Sequence, residues 1–462
     1  MTLNSKTQPQ EKAANALSAV LGHQIGPIEY RAVAAVTKSK RNPRKHPQKQ
    51  IVKLKSSVGE FGIVLPLLVS ESGEIIAGEA VHEAACQLGF TEVPVIVARG
   101  WSEAQVRSYR LIDNRLPELA SWDEELLAIE IKEIIDIDEF SVDLLGWETA
   151  EIDLIIDGAT SGNESQADDL ADAIVDPLRQ PITEPGDVWQ LDDHRILCSS
   201  SLEPDCWDEL LGKHKPAMVF TDAPYNVPVE GHICGLGKVQ HKEFAMTSGE
   251  MNPEQFTTFL TDALKPMAKA LREGALLYLC MDWRHMSEML GAIENCDLKL
   301  INLCVWNKNN GGMGSLYRSK HELVFVAKKG KASHTNNVEL GRHGRYRTNV
   351  WDYAGVNSFG MNRDADLADH PTVKPTALVA DAMRDVTKRG DIVLDAFLGS
   401  GTTILAAERT GRTGYGIEIE PGFVDVSVRR WKKLTGREAT LATTGQTFAE
   451  VAASRAAQAE AT

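Results

Sequence analysis

A carboxylate, a small residue, a proline and a phenol follow one another where a short apolar run ends. The run is Val219-Phe220-Thr221, and the four are Asp222, Ala223, Pro224 and Tyr225. They have the outline of a catalytic loop with one letter changed. The bland counterpart is a strand running into a turn. These four residues alone leave both readings open.

A later segment narrows the choice. An apolar strand over Ile392 to Leu394 ends at Asp395. Phe397, Gly399 and Gly401 form a turn into a helix from Thr402 to Thr410, closed by Gly411, and a following strand delivers Glu418. Glycine in such a turn lets the backbone approach a ligand without a Cβ in the way. An acid at the tip of the next strand can accept both hydroxyls of a ribose, and folds of this pattern bind ligands beyond the carboxyl ends of their strands. The spacing is not G-x-G-x-x-G, and no lysine follows as in a P-loop, so little is present to balance a pyrophosphate. The turn suits a nucleoside without phosphates, such as S-adenosylmethionine (AdoMet). The alternative is an ordinary strand–turn–helix with glycines for tight packing.

The whole chain bounds these readings. Its 462 residues allow two or three domains. No apolar run is long enough to span a bilayer, and the polar N-terminus has no signal-peptide core. Seven cysteines without a C-x-x-C pair fit reduced thiols in a cytosol, and no metal set is expected. The net charge of −16 argues against an all-over basic DNA coat. The cations are nevertheless segregated. One run spans Lys38 to Lys55 with no acid in it. Another extends from Lys308 through Arg318, Arg342 and Arg345 to Arg347. Such patches fit local phosphate contacts, or solvated faces.

The pattern along the chain predicts an arm over 1–26, then a small α/β domain with a helical, acidic extension over 27–157. A linker is expected over 158–182, a second α/β domain with a largely parallel sheet over 183–440, and a tail over 441–462.

Together the motifs resemble the beta-class amino-methyltransferases of DNA, which methylate adenine N6 or cytosine N4. Asp222-Ala223-Pro224-Tyr225 matches their D-P-P-Y apart from Ala223. Asp395 to Gly401 matches their D-P-F-x-G-S-G apart from Ala396, and His370 to Pro375 matches a segment that helps hold the methionine end of the cofactor. The order of the motifs is the permuted one of that class. The first domain resembles the ParB-like N-terminal fold, with Val81 where a phosphate-binding arginine is expected.

The resemblance implies an AdoMet-dependent methyltransferase with a Rossmann-like, mostly parallel sheet, preceded by a smaller ParB-like α/β domain. It implies methyl transfer to adenine N6 of double-stranded DNA with base flipping, since cytosine N4 enzymes more often carry Ser at the position of Asp222. Cytosine N4 stays open, as does a DNA-binding or partition regulator whose methylase domain no longer works. Asp222, a main-chain carbonyl of Ala223 or Pro224, and Tyr225 are the catalytic set. Asp395, Phe397, Gly399, Gly401, Thr402, Glu418, Thr372 and Lys374 are assigned to AdoMet. Lys308, Arg318, Arg342, Arg345 and Arg347 are assigned to DNA, the last three within a target-recognition region over 331–369. Trp306, Lys308, Asn309, Asn310 and the stretch from Gly311 to Glu322 resemble the family's wall around the target base. A cytoplasmic, nucleoid-associated protein is expected, with no membrane partner and no nuclease motif of its own. A homodimer stays open.

Overall fold

The computed structural model describes residues 26–137, 141–160, 171–172, 175–226, 251–308, 316–341, 345–354 and 374–460. Arg342, Thr372, nearly all of the expected arm and parts of the target-recognition region lie outside the described residues. The chain divides into two units, Met1–Glu148 and Thr149–Thr462.

The first unit holds β1 (Glu29–Ala32), α1 (Gln48–Phe61), β2 (Leu67–Ser70), β3 (Ile75–Ala77), α2 (Glu79–Leu88), β4 (Glu92–Ala98), α3 (Glu103–Arg115) and α4 (Glu124–Ile137). Its sheet runs β1-β4-β2-β3, with only the β2–β4 pair parallel. The apolar alternation of these short strands buries Leu67, Val69, Ile75, Val93, Val95 and Val97 on one core. Gly78 enters α2 at φ 94°, and a Cβ there would meet Leu67 Cδ2 at 2.5 Å, so glycine is required. The basic run is less free than its sequence suggests. Lys38, Arg41 and Arg44 pair with Glu83, Glu103 and Glu118, while Lys49 and Lys53 share Glu148. These exposed pairs add little stability but dilute the local positive field.

The second unit holds α5 (Thr149–Thr160), β5 (Val188–Leu191), β6 (His194–Cys198), α6 (Asp205–Leu211), β7 (Met218–Thr221), α7 (Pro253–Ala270), β8 (Leu276–Met281), α8 (Met286–Asn295), β9 (Lys299–Asn307) and β10 (His321–Lys328). It continues with β11 (Val350–Asp352), α9 (Thr376–Val386), β12 (Ile392–Asp395), α10 (Thr402–Thr410), β13 (Thr413–Glu418), α11 (Pro421–Thr435), β14 (Thr440–Leu441) and α12 (Phe448–Glu460). Ten strands form one sheet in the order β11-β9-β10-β8-β7-β12-β13-β6-β5-β14. The central run from β8 to β6 is parallel throughout. Its strands are apolar on both faces because helices cover both. Phe256, Leu260 and Leu264 of α7 pack on one face, and Leu378, Ala382 and Met383 of α9 on the other. The chain moves away from β7 toward β8 and away from β12 toward β13, so the reversal of strand order lies between β7 and β12. Asp222 and Asp395 stand at the carboxyl ends of those two strands.

Two boundaries differ from the sequence reading. Helix α5, expected to extend the first domain, belongs to the second unit. Its Asp153 is buried and accepts a bidentate pair from the buried Arg412, at 2.8 and 3.1 Å. The expected linker is also tied down where it is described. Asp425 accepts the backbone N–H groups of Ile182 and Thr183 at 2.7 and 3.0 Å, and Arg430 donates to the Ala171 carbonyl at 2.7 Å. Asp153 of the acid-rich stretch is thus spent on a buried arginine, and the expected linker is held by side chains of α11.

Removing the Asp153 carboxylate leaves the Arg412 guanidinium buried without its charge partner. Asp153→Ala is therefore expected to destabilise the second unit by about 3–5 kcal/mol in equilibrium urea unfolding. A loss under about 0.5 kcal/mol, the usual range for surface changes, would contradict this account.

Candidate active site

The site grows from the strand ends at the reversal point. Asp395 closes β12 with its carboxylate buried, and three donors hold it. These are Thr221 Oγ1 from the end of β7 at 2.8 Å, Thr403 Oγ1 from α10 at 2.6 Å, and the Phe397 amide at 3.1 Å. Asp395 thus joins β7 to the glycine turn. Burial pushes its carboxyl up to about 6, against the pull of these three hydrogen bonds.

The turn itself is held from behind. Gly401 has φ 86°, and a Cβ there would meet Ser427 Cβ at 2.7 Å. Ser427 Oγ donates to the Gly399 carbonyl at 3.0 Å, and Arg430 donates to the Ser400 carbonyl at 2.7 Å. Gly399, at φ 56°, has nothing within 4 Å of where a Cβ would stand, so the turn keeps open space before it. Thr402 opens α10 directly behind. At the tip of β13, Glu418 accepts the Gly399 amide at 2.7 Å and the Glu420 amide at 2.9 Å. Each oxygen keeps a further lone pair. Burial raises the Glu418 carboxyl to about 7, with the two amides opposing it.

On the other side of the reversal point, Asp222 follows β7. Tyr225 donates its phenol O–H to Asp222 Oδ1 at 2.5 Å and approaches Glu322 Oε2 at 3.2 Å. Lys374 Nζ donates to Asp222 Oδ2 at 2.5 Å and pairs with Glu322 Oε2 at 2.9 Å. Lys308 completes the chain on Glu322 Oε1. The ammonium of Lys374 lies 5.7 Å from the ring centres of both Tyr225 and Trp306. Burial alone would favour neutral Lys374, but the carboxylates of Asp222 and Glu322 outweigh it and hold the lysine protonated. Burial likewise disfavours ionised Glu322, and Lys374 with Lys308 more than offsets that. Burial and the neighbouring Asp222 keep the Tyr225 phenol un-ionised. The result is a fixed carboxylate with one flank on a lysine and a phenol, and its side chain still a quarter exposed.

The sequence-derived assignments redistribute accordingly. Asp222, Ala223, Pro224 and Tyr225 form one edge of the site, and Asp395, Phe397, Gly399, Gly401, Thr402 and Glu418 form the other. Lys374, assigned to the cofactor, is instead committed to Asp222 and Glu322. Arg345 and Arg347 do not present free guanidinium groups to DNA. Both are drawn inward onto Asp385, at 2.8 and 3.0 Å, and Arg347 also donates to the Tyr353 hydroxyl. Lys308 pairs with Glu322, and Arg318 is exposed on the stretch before β10. Glu322 ends the stretch that the resemblance places in the wall around the base, but no role of its own follows from the sequence. Its signal was slight: an acid at the head of an apolar strand, placed by register opposite Trp306.

Fold and site together define the class: a Rossmann-like methyltransferase domain, with a smaller α/β domain before it. Residues 217–429 carry the DNA methylase domain of the N6/N4 family, residues 22–115 the ParB N-terminal domain, and residues 125–185 the ParB-methyltransferase HTH domain. The HTH match takes in α4, α5 and the stretch expected as a linker. The chain is 25% identical over 253 residues to the Type II methyltransferase M.HpaI of Haemophilus parainfluenzae, covering 52% of this chain and 74% of the relative. It is 24% identical over 247 residues to the Type II methyltransferase M.HinfI of Haemophilus influenzae, covering 50% and 68%. Among solved structures, the cytosine-N4-specific PvuII DNA methyltransferase aligns at 17% identity and a TM-score of 0.41, over 56% of this chain and 94% of its own. Among the described residues, no helix is long and apolar enough to cross a membrane.

The raised carboxyl of Glu418 has a signed consequence. Between its usual 4.5 and about 7, the folded chain holds a proton that the unfolded chain has released, so this group lowers stability as pH rises through that window. Glu418→Gln removes the effect. Its unfolding free energy, relative to the natural chain, is expected to increase from about pH 5 to about pH 8. A pH-independent difference would show that the group is not held protonated.

Proposed function

We propose that this chain is an AdoMet-dependent DNA methyltransferase that modifies adenine N6 in double-stranded DNA after the base is flipped out. The observation that carries this reading is the pairing, across the reversal of strand order, of the fixed Asp222–Tyr225 edge with the Asp395–Glu418 turn. The turn fits the donor. Gly399 leaves room for a nucleoside, Glu418 keeps lone pairs for ribose hydroxyls, and Phe397 offers an aromatic face. When bound, AdoMet supplies an electrophilic methyl group on a sulfonium.

The remaining work falls to the chain. An exocyclic amino nitrogen is a poor nucleophile while its lone pair is delocalised into the ring. Asp222 accepts one of its N–H groups and a main-chain carbonyl of Ala223 or Pro224 accepts the other, which draws the nitrogen toward sp³ geometry and frees the lone pair. Lys374 and the phenol of Tyr225 fix the carboxylate in the accepting orientation, and fixed orientation is where most of the acceleration arises. The ring of Tyr225 stacks on the extrahelical base. The acid at 222, where cytosine N4 enzymes more often carry Ser, supports adenine. The N-terminal unit is read as a DNA-contact or docking module, which its ParB match supports.

Asp222→Ala is expected to lower methyl transfer by at least about a hundredfold while labelled AdoMet still binds. Equal activity in the variant would remove Asp222 from the mechanism. Digesting methylated DNA to nucleosides reads the base directly, and N4-methylcytosine in place of N6-methyladenine would move the reading to the cytosine class. Donor binding without any transfer by the natural chain would favour a DNA-binding regulator.

A further inference from the structure

We infer that Leu316 and Tyr317, on the connection between β9 and β10, form a wedge that enters duplex DNA and fills the space left when the target base turns out. The inference rests on the proposed base-flipping reaction. The two side chains are 81% and 83% exposed. A lone exposed apolar residue needs no explanation, but two adjacent ones at the rim of a site do.

Their position follows from the sheet. β10 runs antiparallel to both β8 and β9, so its first residues lie at the edge where the parallel strands end. His321 pairs with Asn307, and the Lys308 amide donates to the Lys320 carbonyl at 2.8 Å, which closes the neck of the connection. Tyr317 stands five residues before Glu322, itself 3.2 Å from the Tyr225 phenol, so the chain keeps its Cα within about 18 Å of the Glu322 Cα.

The surroundings select the occupant. Arg318 and Lys320 follow the apolar pair directly, and Lys308 lies at the neck. Cations beside a protruding apolar pair suit phosphates on either side of an opened base step, where a wedge replaces lost stacking. A protein partner would require a broader apolar surface. Tyr225 and Trp306 lie inside the site and receive the base, so they are not available to fill the gap left behind.

The test uses the full chain and its own methylation site, mapped by methylation-sensitive sequencing. Labelled methyl transfer is measured on two duplexes, one with the target base paired and one with it mismatched. A mismatched base is already loosened and needs the wedge less. The double variant Leu316→Ala/Tyr317→Ala is expected to lose about tenfold or more in kcat/KM on the paired duplex and to stay within about twofold on the mismatched one. Tyr317→Trp is expected to keep transfer to the paired duplex, because flat apolar area is what the gap takes. An unchanged melting temperature checks that the variants are folded. Equal loss on both duplexes, or loss on neither, overturns the wedge. Transfer by the natural chain to neither duplex overturns the proposed reaction itself.

Discussion

The Asp395 carboxylate is the tie on which the site depends. It is buried, and its three donors come from β7, from α10 and from the turn between β12 and α10. The residue before Asp222 is one of these donors, so the position of the acceptor is set through the same group that shapes the glycine turn. A buried carboxyl needs such partners, and the partners gain fixed positions in return. Both edges of the candidate site are registered to one another by this single side chain.

The same tie bears on the two alanines that stand where the family pattern has proline. Ala223 and Ala396 are both buried in the core shared by α7 and the parallel strands. The cavity lined by Ala223, Phe397, Leu260 and Met267 measures only about 10 Å³, roughly the space of one water. Among the described residues, no ring-sized void stands beside Ala223. Restriction that proline would supply through a locked φ is supplied here by burial and by the Thr221–Asp395 bond.

What was legible in the sequence was local. The strand ending in Asp395, the turn at Gly399 and Gly401, and Glu418 one strand later are separated by few residues, and their spacing carries the geometry. Asp222 and Tyr225 are likewise neighbours in the chain. The bond from Lys374 to Asp222 was not legible in the sequence because it spans 152 residues. The ion-pair role of Glu322 was hidden for the same reason, since it comes from Lys308, Lys374 and Tyr225 converging on it. Arg345 and Arg347 read as basic surface because nothing local shows Asp381 and Asp385 on the facing helix. Charge counts describe a segment, and pairing across the fold decides what remains free.

The acid-rich stretch before β5 also carries a lesson about modularity. Asp172 accepts from the amide and hydroxyl of Thr376, two residues after Lys374, and Ala171 and Asp176 are held by Arg430 and Arg429. With Asp153 locked on Arg412, the catalytic unit reaches back to Thr149. A recombination event or an excised domain that broke the chain at the conventional start of the methylase pattern would strip away Asp153 and the Ala171 carbonyl and strand Arg412 and Arg430 inside the remaining piece. The workable seam for exchanging the front module lies upstream of α5, so the module that travels with the enzyme is longer than its motifs announce.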